Sequence, residues 1–430
     1  MKANGKQKVH VITMGCAKNV VDSEKLMAQL RTNGVELAPT IDEANIAIIN
    51  TCGFIDAAKE ESIDMIVANV KRKARGKLRN VFVMGCLAER YRKDLAHELP
   101  EVDRFFGVDE MPAVLRELGL RYRKELLGER VLTTPAHFAY LKISEGCNNP
   151  CSFCAIPLMR GLHVSRARAD IIAEATLLAE RGVKELIVIG QDTTFYGVDR
   201  GGKRELAQLL EQLAEIRGIA WVRLMYAYPA KFPMDVVETI AGHPRICKYL
   251  DMPIQHVADP VLRSMRRGIS RRATMELIER IRERVPGIAL RTTLIVGYPT
   301  ETEKEFQELL EFVRVVKFDR LGVFTYSVEE GTTAFPLGDP IPASEKERRR
   351  SLIMEAQQEL SDERNAGLVG SHQHVLLDRT EGGMYIGRTE RDAPEIDNEV
   401  YITSSTPLTV GTFCDVEIVE SSEYDLYGKV

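Results

Sequence analysis

The sequence predicts an α/β chain in three parts. They are an N-terminal doubly wound parallel-sheet domain over 1–125, a central partial (β/α)6 barrel over 126–365 and a small all-β barrel over 366–430. Three observations predict this. Short apolar runs alternate with amphipathic stretches in two series, one on each side of residue 125. The second series holds six units in roughly 225 residues, where eight would close a full barrel in about 250. The chain after 366 then changes to short strands separated by turn residues.

In the first series, 9–14, 46–50 and 81–84 are β-branched-rich runs that read as strands, and 23–31, 60–75 and 92–98 as helices. The charged, then Thr/Pro-bearing segment 121–136 reads as a linker. In the second series the expected strands are 139–143, 185–189, 221–225, 249–253, 289–295 and 320–324. Amphipathic helices such as 171–181 and 273–284 lie between them, and a charged helix over 344–364 leads out. The last part gives strands at 375–378, 384–388, 401–403, 413–420 and 425–430, a pattern suited to a barrel of the oligonucleotide-binding type.

Composition narrows the class. At 430 residues, with 44% hydrophobic and 28% charged residues, the chain is too long for one ordinary core and has a globular make-up. No run approaches the ~18 apolar residues of a membrane span. Residues 1–10 are basic, but the apolar stretch that follows is short and broken, so no secretory signal is expected and the cytoplasm is the expected compartment. Eight cysteines are too few for a disulfide scaffold of this size. The net charge of −5 does not suggest a nucleic-acid binder.

Six of the cysteines carry chemistry. Cys147, Cys151 and Cys154 stand at Cys-x3-Cys-x2-Cys spacing just after the first barrel strand. Three thiolates on one tight loop can hold three irons of a 4Fe–4S cube and leave the fourth iron open. The amino and carboxylate groups of S-adenosylmethionine can fill that position. Zinc is the alternative; it wants four ligands, and the nearest further donor is the lone His163. In the N-terminal part, Met14-Gly15-Cys16, Asn50-Thr51-Cys52 and Met84-Gly85-Cys86 each close a predicted strand. Carboxyl ends of neighbouring strands line one crevice in a doubly wound sheet, so these three can converge on a second cluster. Burial as small apolar residues is the alternative for them, and is the reading for Cys247 and Cys414.

The Cys147–Cys154 loop, with Phe153 as the aromatic before the last cysteine, resembles the radical S-adenosylmethionine superfamily. That resemblance implies a 5′-deoxyadenosyl radical, with S-adenosylmethionine held near Phe153, Gln191, Asp192, Val296 and Gly297. The whole chain resembles the methylthiotransferases, which have an N-terminal cluster domain, a radical core and a TRAM domain. The matching residues are Gly15-Cys16-x-Lys18-Asn19-x-x-Asp22-Ser23-Glu24, Asn50-Thr51-Cys52-x-Phe54-Ile55, Ile156-Pro157 and Met265-x-Arg267-Gly268. The resemblance implies replacement of C–H by C–S–CH3. It implies two 4Fe–4S clusters, one on Cys16, Cys52 and Cys86 and one on Cys147, Cys151 and Cys154. It further implies two S-adenosylmethionine molecules, exogenous sulfide or polysulfide, and a flavodoxin-type reductant. No catalytic residue beyond the cluster ligands is expected.

Two branches of that family compete. One modifies adenosine in transfer RNA, the other an aspartate β-carbon in small ribosomal subunit protein twelve. Residues 371–430 carry twelve acids against four bases, a net of −8. Such a domain repels a phosphate backbone and attracts a basic protein. Direct RNA binding is therefore not expected, and Asp392, Glu395, Asp397 and Glu399 are the expected docking residues. Gly15-Cys16-Ala17-Lys18-Asn19, Gln191-Asp192-Thr193-Thr194-x-Tyr196-Gly197 and the segment from Gly387 to Asp397 also resemble the ribosomal-protein branch. One departure is Tyr298-Pro299-Thr300-Glu301, where relatives usually have Phe-Pro-Gly-Glu, so the turn beside Gly297 is expected to differ.

Overall fold

The computed structural model describes residues 7–126 and 128–430; residues 1–6 of the expected N-terminal domain and of the basic 1–10 stretch, and Leu127, lie outside the described residues. The chain forms two compact units. The first takes the described residues up to Thr133 with 140–148 and 155–177; the second takes 134–139, 149–154 and 178–430.

The first unit is built on β1 (Lys8–Thr13), α1 (Ala17–Thr32), β2 (Glu36–Leu37), β3 (Ile46–Thr51), α2 (Asp56–Ala74), β4 (Asn80–Gly85), α3 (Cys86–Glu98), β5 (Arg104–Phe105) and α4 (Met111–Glu117). The strand order is β2-β1-β3-β4-β5, with parallel pairing throughout. This is the expected doubly wound sheet. Successive side chains of a strand point to opposite faces. Ala47, Ile49, Val81 and Val83 therefore meet Ile66, Leu87 and Leu95 on one face, while Ile46, Ile48, Phe82 and Met84 meet Leu26, Leu30, Val114 and Leu115 on the other. Helices on both faces explain why these strands read as continuous apolar runs.

The same unit holds a short ribbon, β7 (Ser144–Glu145) with β8 (Val164–Ser165), and between them α5 (Ile156–Arg160). It also corrects the linker expectation for 121–136. Arg130 is fully buried, pairs with Glu174 at 2.9 Å and with Glu24, and donates to the Tyr140 carbonyl. Gln29 and Asn33 bond the backbone of Arg123 and Arg121. The segment is stapled down by polar groups, a feature that its charge and proline content did not reveal.

The second unit contains most of the central sheet: the first two residues of β6 (Phe138–Lys142), then β9 (Glu185–Ile189), β10 (Trp221–Leu224), β11 (Ile246–Asp251), β12 (Ala289–Val296) and β13 (Arg320–Thr325). The order β13-β12-β11-β10-β9-β6 leaves it open. The pairing from β9 to β13 is parallel, as a partial (β/α)6 barrel requires. The intervening helices begin with α6 (Arg168–Glu180), which falls in the first unit up to residue 177, then α7 (Val198–Gly201), α8 (Leu206–Ala214) and α9 (Met234–Gly242), and continue with α10 (Asp259–Ser264), α11 (Arg271–Arg284) and α12 (Glu303–Val316); α13 (Ala343–Ala366) leads out. A closed five-stranded barrel follows: β14 (His372–Glu381), β15 (Met384–Arg388), β16 (Val400–Thr403), β17 (Phe413–Ser421) and β18 (Leu426–Lys429), in the order β14-β15-β16-β18-β17. Its core is Val375, Leu377, Val400, Ile402, Val416, Ile418 and Leu426.

Buried charges join this barrel to the central sheet within the unit. Arg388 bonds Asp378 at 2.6 Å and Glu185 at 2.8 Å, and Glu185 also takes Arg223 at 2.7 Å. Asp392 accepts from Arg320 at 2.8 Å, and Asp397 from Tyr249 at 2.7 Å and Arg291 at 3.2 Å. This corrects the docking expectation for Asp392 and Asp397. Both side chains are spent inside the fold, because a buried guanidinium requires a carboxylate partner. Glu399 is paired with Arg379, and Glu395 is exposed.

Candidate active site

Each N-terminal cysteine follows a strand. Cys16 caps α1 directly after the β1 turn, Cys52 is next to the end of β3, and Cys86 opens α3 after β4. β1, β3 and β4 are adjacent in the sheet, so the three thiols share one edge. The proton affinity of Cys52 is raised by burial and by the Cys16 charge. Burial pushes the Cys86 thiol up to about 11 against the pull of Arg160, with Cys16 and Cys52 adding to the rise. The three sulfurs are thus within electrostatic reach of one another. Among the described residues no group of three or more His, Cys, Asp or Glu is placed to hold a single metal ion. Adjacent strands lie about 4.8 Å apart. That spacing suits a cube bridging three strand ends better than one ion with bonds of about 2.3 Å. An all-thiol donor set is also what an iron–sulfur cluster takes. The residues therefore fit such a group.

The packing around these turns is close. Gly15 has φ +86°, and a Cβ there would lie 2.6 Å from Cys52 Cβ and 2.9 Å from its Sγ. Asn19 Nδ2 donates to the carbonyls of Met14 (2.8 Å) and Thr51 (3.1 Å), and Asn50 Nδ2 donates to Asn19 O and Ser23 Oγ, both at 3.0 Å. Asp22 is held by Lys142 and, at 2.7 Å, by Arg160. Burial would raise its carboxyl, but these two cations pull it down to about 2. Much of the N-terminal motif is thereby given a job in holding the cysteine turns.

The second triad lies on the loop after β7. Cys147 N donates to Gly161 O at 3.1 Å, and a Cβ on Gly146 would fall 2.1 Å from Leu162 O, so this turn needs glycine. Cys154 N donates to Cys151 O at 3.2 Å. Arg267 Nη1 donates to Cys151 Sγ at 3.1 Å, and Tyr228 Oη lies 3.8 Å from the same sulfur. Burial and the neighbouring Cys151 keep the Tyr228 hydroxyl protonated well above its ordinary range. Ser152 is fixed by Ser264 O (2.8 Å) and Tyr298 Oη (2.9 Å).

Of the residues expected near S-adenosylmethionine, Gln191 and Asp192 follow β9, Val296 and Gly297 lie at the end of β12, and Phe153 is on the cysteine loop. Phe153 packs against an apolar cluster with Ala258, Met265, Tyr298 and Tyr326. Asp192 accepts from Asn149 Nδ2 at 2.8 Å and from Thr194, so it ties the cysteine loop to the β9 end beside the half-buried Gln191. Val296 is fully buried, and Gly297 N donates to Glu301 at 3.1 Å. Thr300 fits its turn, which closes from Glu301 N to Tyr298 O at 2.8 Å, because its backbone is not left-handed. Cys247 is buried, with its thiol pushed up to about 12 by burial, and Cys414 packs at the edge of the C-terminal core.

An open parallel barrel with a three-cysteine loop, in a chain that also carries a three-cysteine doubly wound sheet, defines an enzyme of the radical S-adenosylmethionine class. Known proteins agree. Residues 8–107 match the family described as Uncharacterized protein family UPF0004, 141–313 the Radical SAM superfamily and 369–430 the TRAM domain. The fold is similar to the radical S-adenosylmethionine methyltransferase TsrM from Kitasatospora setae. One structure of it gives a TM-score of 0.58 at 13% identity, covering 88% of this chain and 79% of that one. Over 432 residues the sequence is 53% identical to the ribosomal protein uS12 methylthiotransferase RimO of Flavobacterium johnsoniae and 51% identical to that of Cytophaga hutchinsonii. Each alignment covers 100% of this chain and 99% of the relative. The chain belongs to the RimO family and is a radical S-adenosylmethionine methylthiotransferase.

Sequence reasoning missed Arg160 and the contact of Arg267 with Cys151. Arg160 stands in Ile156-Pro157-Leu158-Met159-Arg160-Gly161, just past the second triad. An arginine in the sequence so soon after Cys154 was the available signal.

Proposed function

We propose that this enzyme adds a methylthio group to the β-carbon of an aspartate in ribosomal protein uS12, the small subunit protein twelve. The observation that carries this reading is full-length identity above 50% to relatives named for uS12. The net −8 of residues 371–430 supports it, since a basic protein is the favoured partner of such a barrel and an RNA backbone is not. The acids left for docking are those outside the buried network, among them the exposed Glu395 and Glu420.

We assign one 4Fe–4S cluster to Cys16, Cys52 and Cys86 and another to Cys147, Cys151 and Cys154, with the parts running 1–125, 126–365 and 366–430. When bound, the clusters, two molecules of S-adenosylmethionine and a sulfide or polysulfide supply electron transfer, the methyl group, the hydrogen-abstracting radical and the inserted sulfur. A flavodoxin-type reductant supplies electrons, and the cytoplasm keeps the thiols reduced. No helix among the described residues is long and apolar enough to cross a membrane.

The protein's own contribution is placement. Gly146 lets the second loop turn tightly, Ser152 and Asp192 anchor it, and Arg267 donates to Cys151 Sγ. Asn19 fixes the turns that bear Cys16 and Cys52. Reconstituted enzyme with reductant, sulfide and S-adenosylmethionine should raise the mass of a uS12 loop peptide by one methylthio group at aspartate. Modification of transfer RNA and not of the peptide would transfer the enzyme to the other branch of the family.

A further inference from the structure

Arg160 is buried, with its side chain 3% exposed. Its Nη1 donates to Asp22 at 2.7 Å and to Glu145 at 3.2 Å, and its Nη2 to Asn19 Oδ1 at 2.5 Å. Lys142 binds the same two carboxylates, so two cations and two anions balance. Ion pairing accounts for Nη1 alone. Nε points elsewhere and donates to Cys86 Sγ at 3.2 Å. Asn19, which takes Nη2, spends its own amide hydrogens on the backbone beside Cys16 and Cys52. One guanidinium and one amide therefore reach all three cysteine-bearing strand ends.

We propose that Arg160 is a positioning residue for the cluster on Cys16, Cys52 and Cys86, and that its N–H···S bond to Cys86 raises the reduction potential of that cluster. The proposal rests on the cluster assignment made above. The two carboxylates fix the plane of the guanidinium, so Nε is already aimed when the sulfur becomes a thiolate. A charge-assisted bond to a thiolate is stronger than one to a thiol. Reduction adds negative charge to the cluster, and donors to its sulfurs stabilise the reduced state most; hydrogen bonding to sulfur is a known lever on such potentials. Lysine keeps the charge but lacks the planar fork.

The test uses the full chain carrying Cys147→Ala, Cys151→Ala and Cys154→Ala, reconstituted anaerobically with iron and sulfide. Iron is counted, and the cluster is titrated redox-wise with its paramagnetic signal as readout. The parent should hold about four irons. Arg160→Gln should shift the midpoint potential to a more negative value, with Arg160→Lys between the two. Arg160→Gln with Asp22→Asn restores the charge balance and should show the same shift as Arg160→Gln. An unchanged potential in both glutamine variants overturns the inference. So does loss of the cluster from all three Arg160 variants, which would make the residue a fold-holding one only. A parent without iron would overturn the cluster assignment itself, and the inference with it.

Discussion

Gly15→Ala tests the N-terminal cluster geometry through a residue that ligates nothing. Two costs are expected. The left-handed backbone at φ +86° costs about 1–2 kcal/mol for a residue with a Cβ. The new Cβ would also stand 2.6 Å from Cys52 Cβ, where about 3.5–4.0 Å is comfortable, so Cys52 must retreat by about 1 Å. Metal–ligand distances tolerate about 0.2 Å, so a shift of that size takes the Cys52 sulfur out of bonding range. Gly34→Ala is the matched control, since Gly34 has φ +81° and nothing within 4 Å of its Cβ position. Both variants should lose similar thermal stability from backbone strain, with about 1–3 kcal/mol more for Gly15→Ala from overpacking. In the background lacking Cys147, Cys151 and Cys154, iron per chain after reconstitution should fall sharply for Gly15→Ala and stay at the parental value for Gly34→Ala. Equal iron in the two variants would refute the claim that Cys52 must sit where Gly15 permits it.

Three further outcomes are expected. Arg130→Met leaves the buried Glu24 without its guanidinium and takes one of the cations from Glu174, and should cost about 3–5 kcal/mol, read by urea denaturation with a probe in the first unit. Burial would raise the Glu174 carboxyl, but Lys25, Arg166 and Arg130 hold it at about 2. Its folded value is below its unfolded one, so its stabilisation is complete above about pH 4.5 and drains away toward pH 2. That depression corresponds to about 3 kcal/mol, and an acid titration of stability should lose that amount in the parent and less in Glu174→Gln. Charge reversal at Asp392 or Asp397 should lower the melting temperature, whereas Glu420→Lys should weaken binding of a basic uS12 peptide at low salt and leave melting nearly unchanged. Calorimetry at two salt concentrations checks the binding half of that contrast.

Much of the fold was legible because buried parallel strands need apolar, β-branched runs on both faces. The expected 185–189 and 384–388 match β9 and β15 residue for residue. The edge strands Glu36–Leu37 and Arg104–Phe105 were not legible, since two residues carry no period. The placement of Cys16, Cys52 and Cys86 after neighbouring strands was legible, because each directly follows an apolar run. Long-range polar pairing was not. Arg160 reaches Cys86 across 74 residues and Asn19 across 141, and nothing local encodes either contact. A charge count likewise cannot tell a docking acid from one consumed inside the fold, and Asp392 and Asp397 proved to be the latter.

The central claim is that two cysteine triads each hold a cluster and only one of them cleaves S-adenosylmethionine. Iron content, measured alongside 5′-deoxyadenosine formation, tests it most directly. The parent chain should hold about eight irons and each triple-alanine variant about four. The nucleoside should form in the variant lacking Cys16, Cys52 and Cys86 and not in the one lacking Cys147, Cys151 and Cys154. Full iron in either triple variant, or 5′-deoxyadenosine from the second, would contradict it.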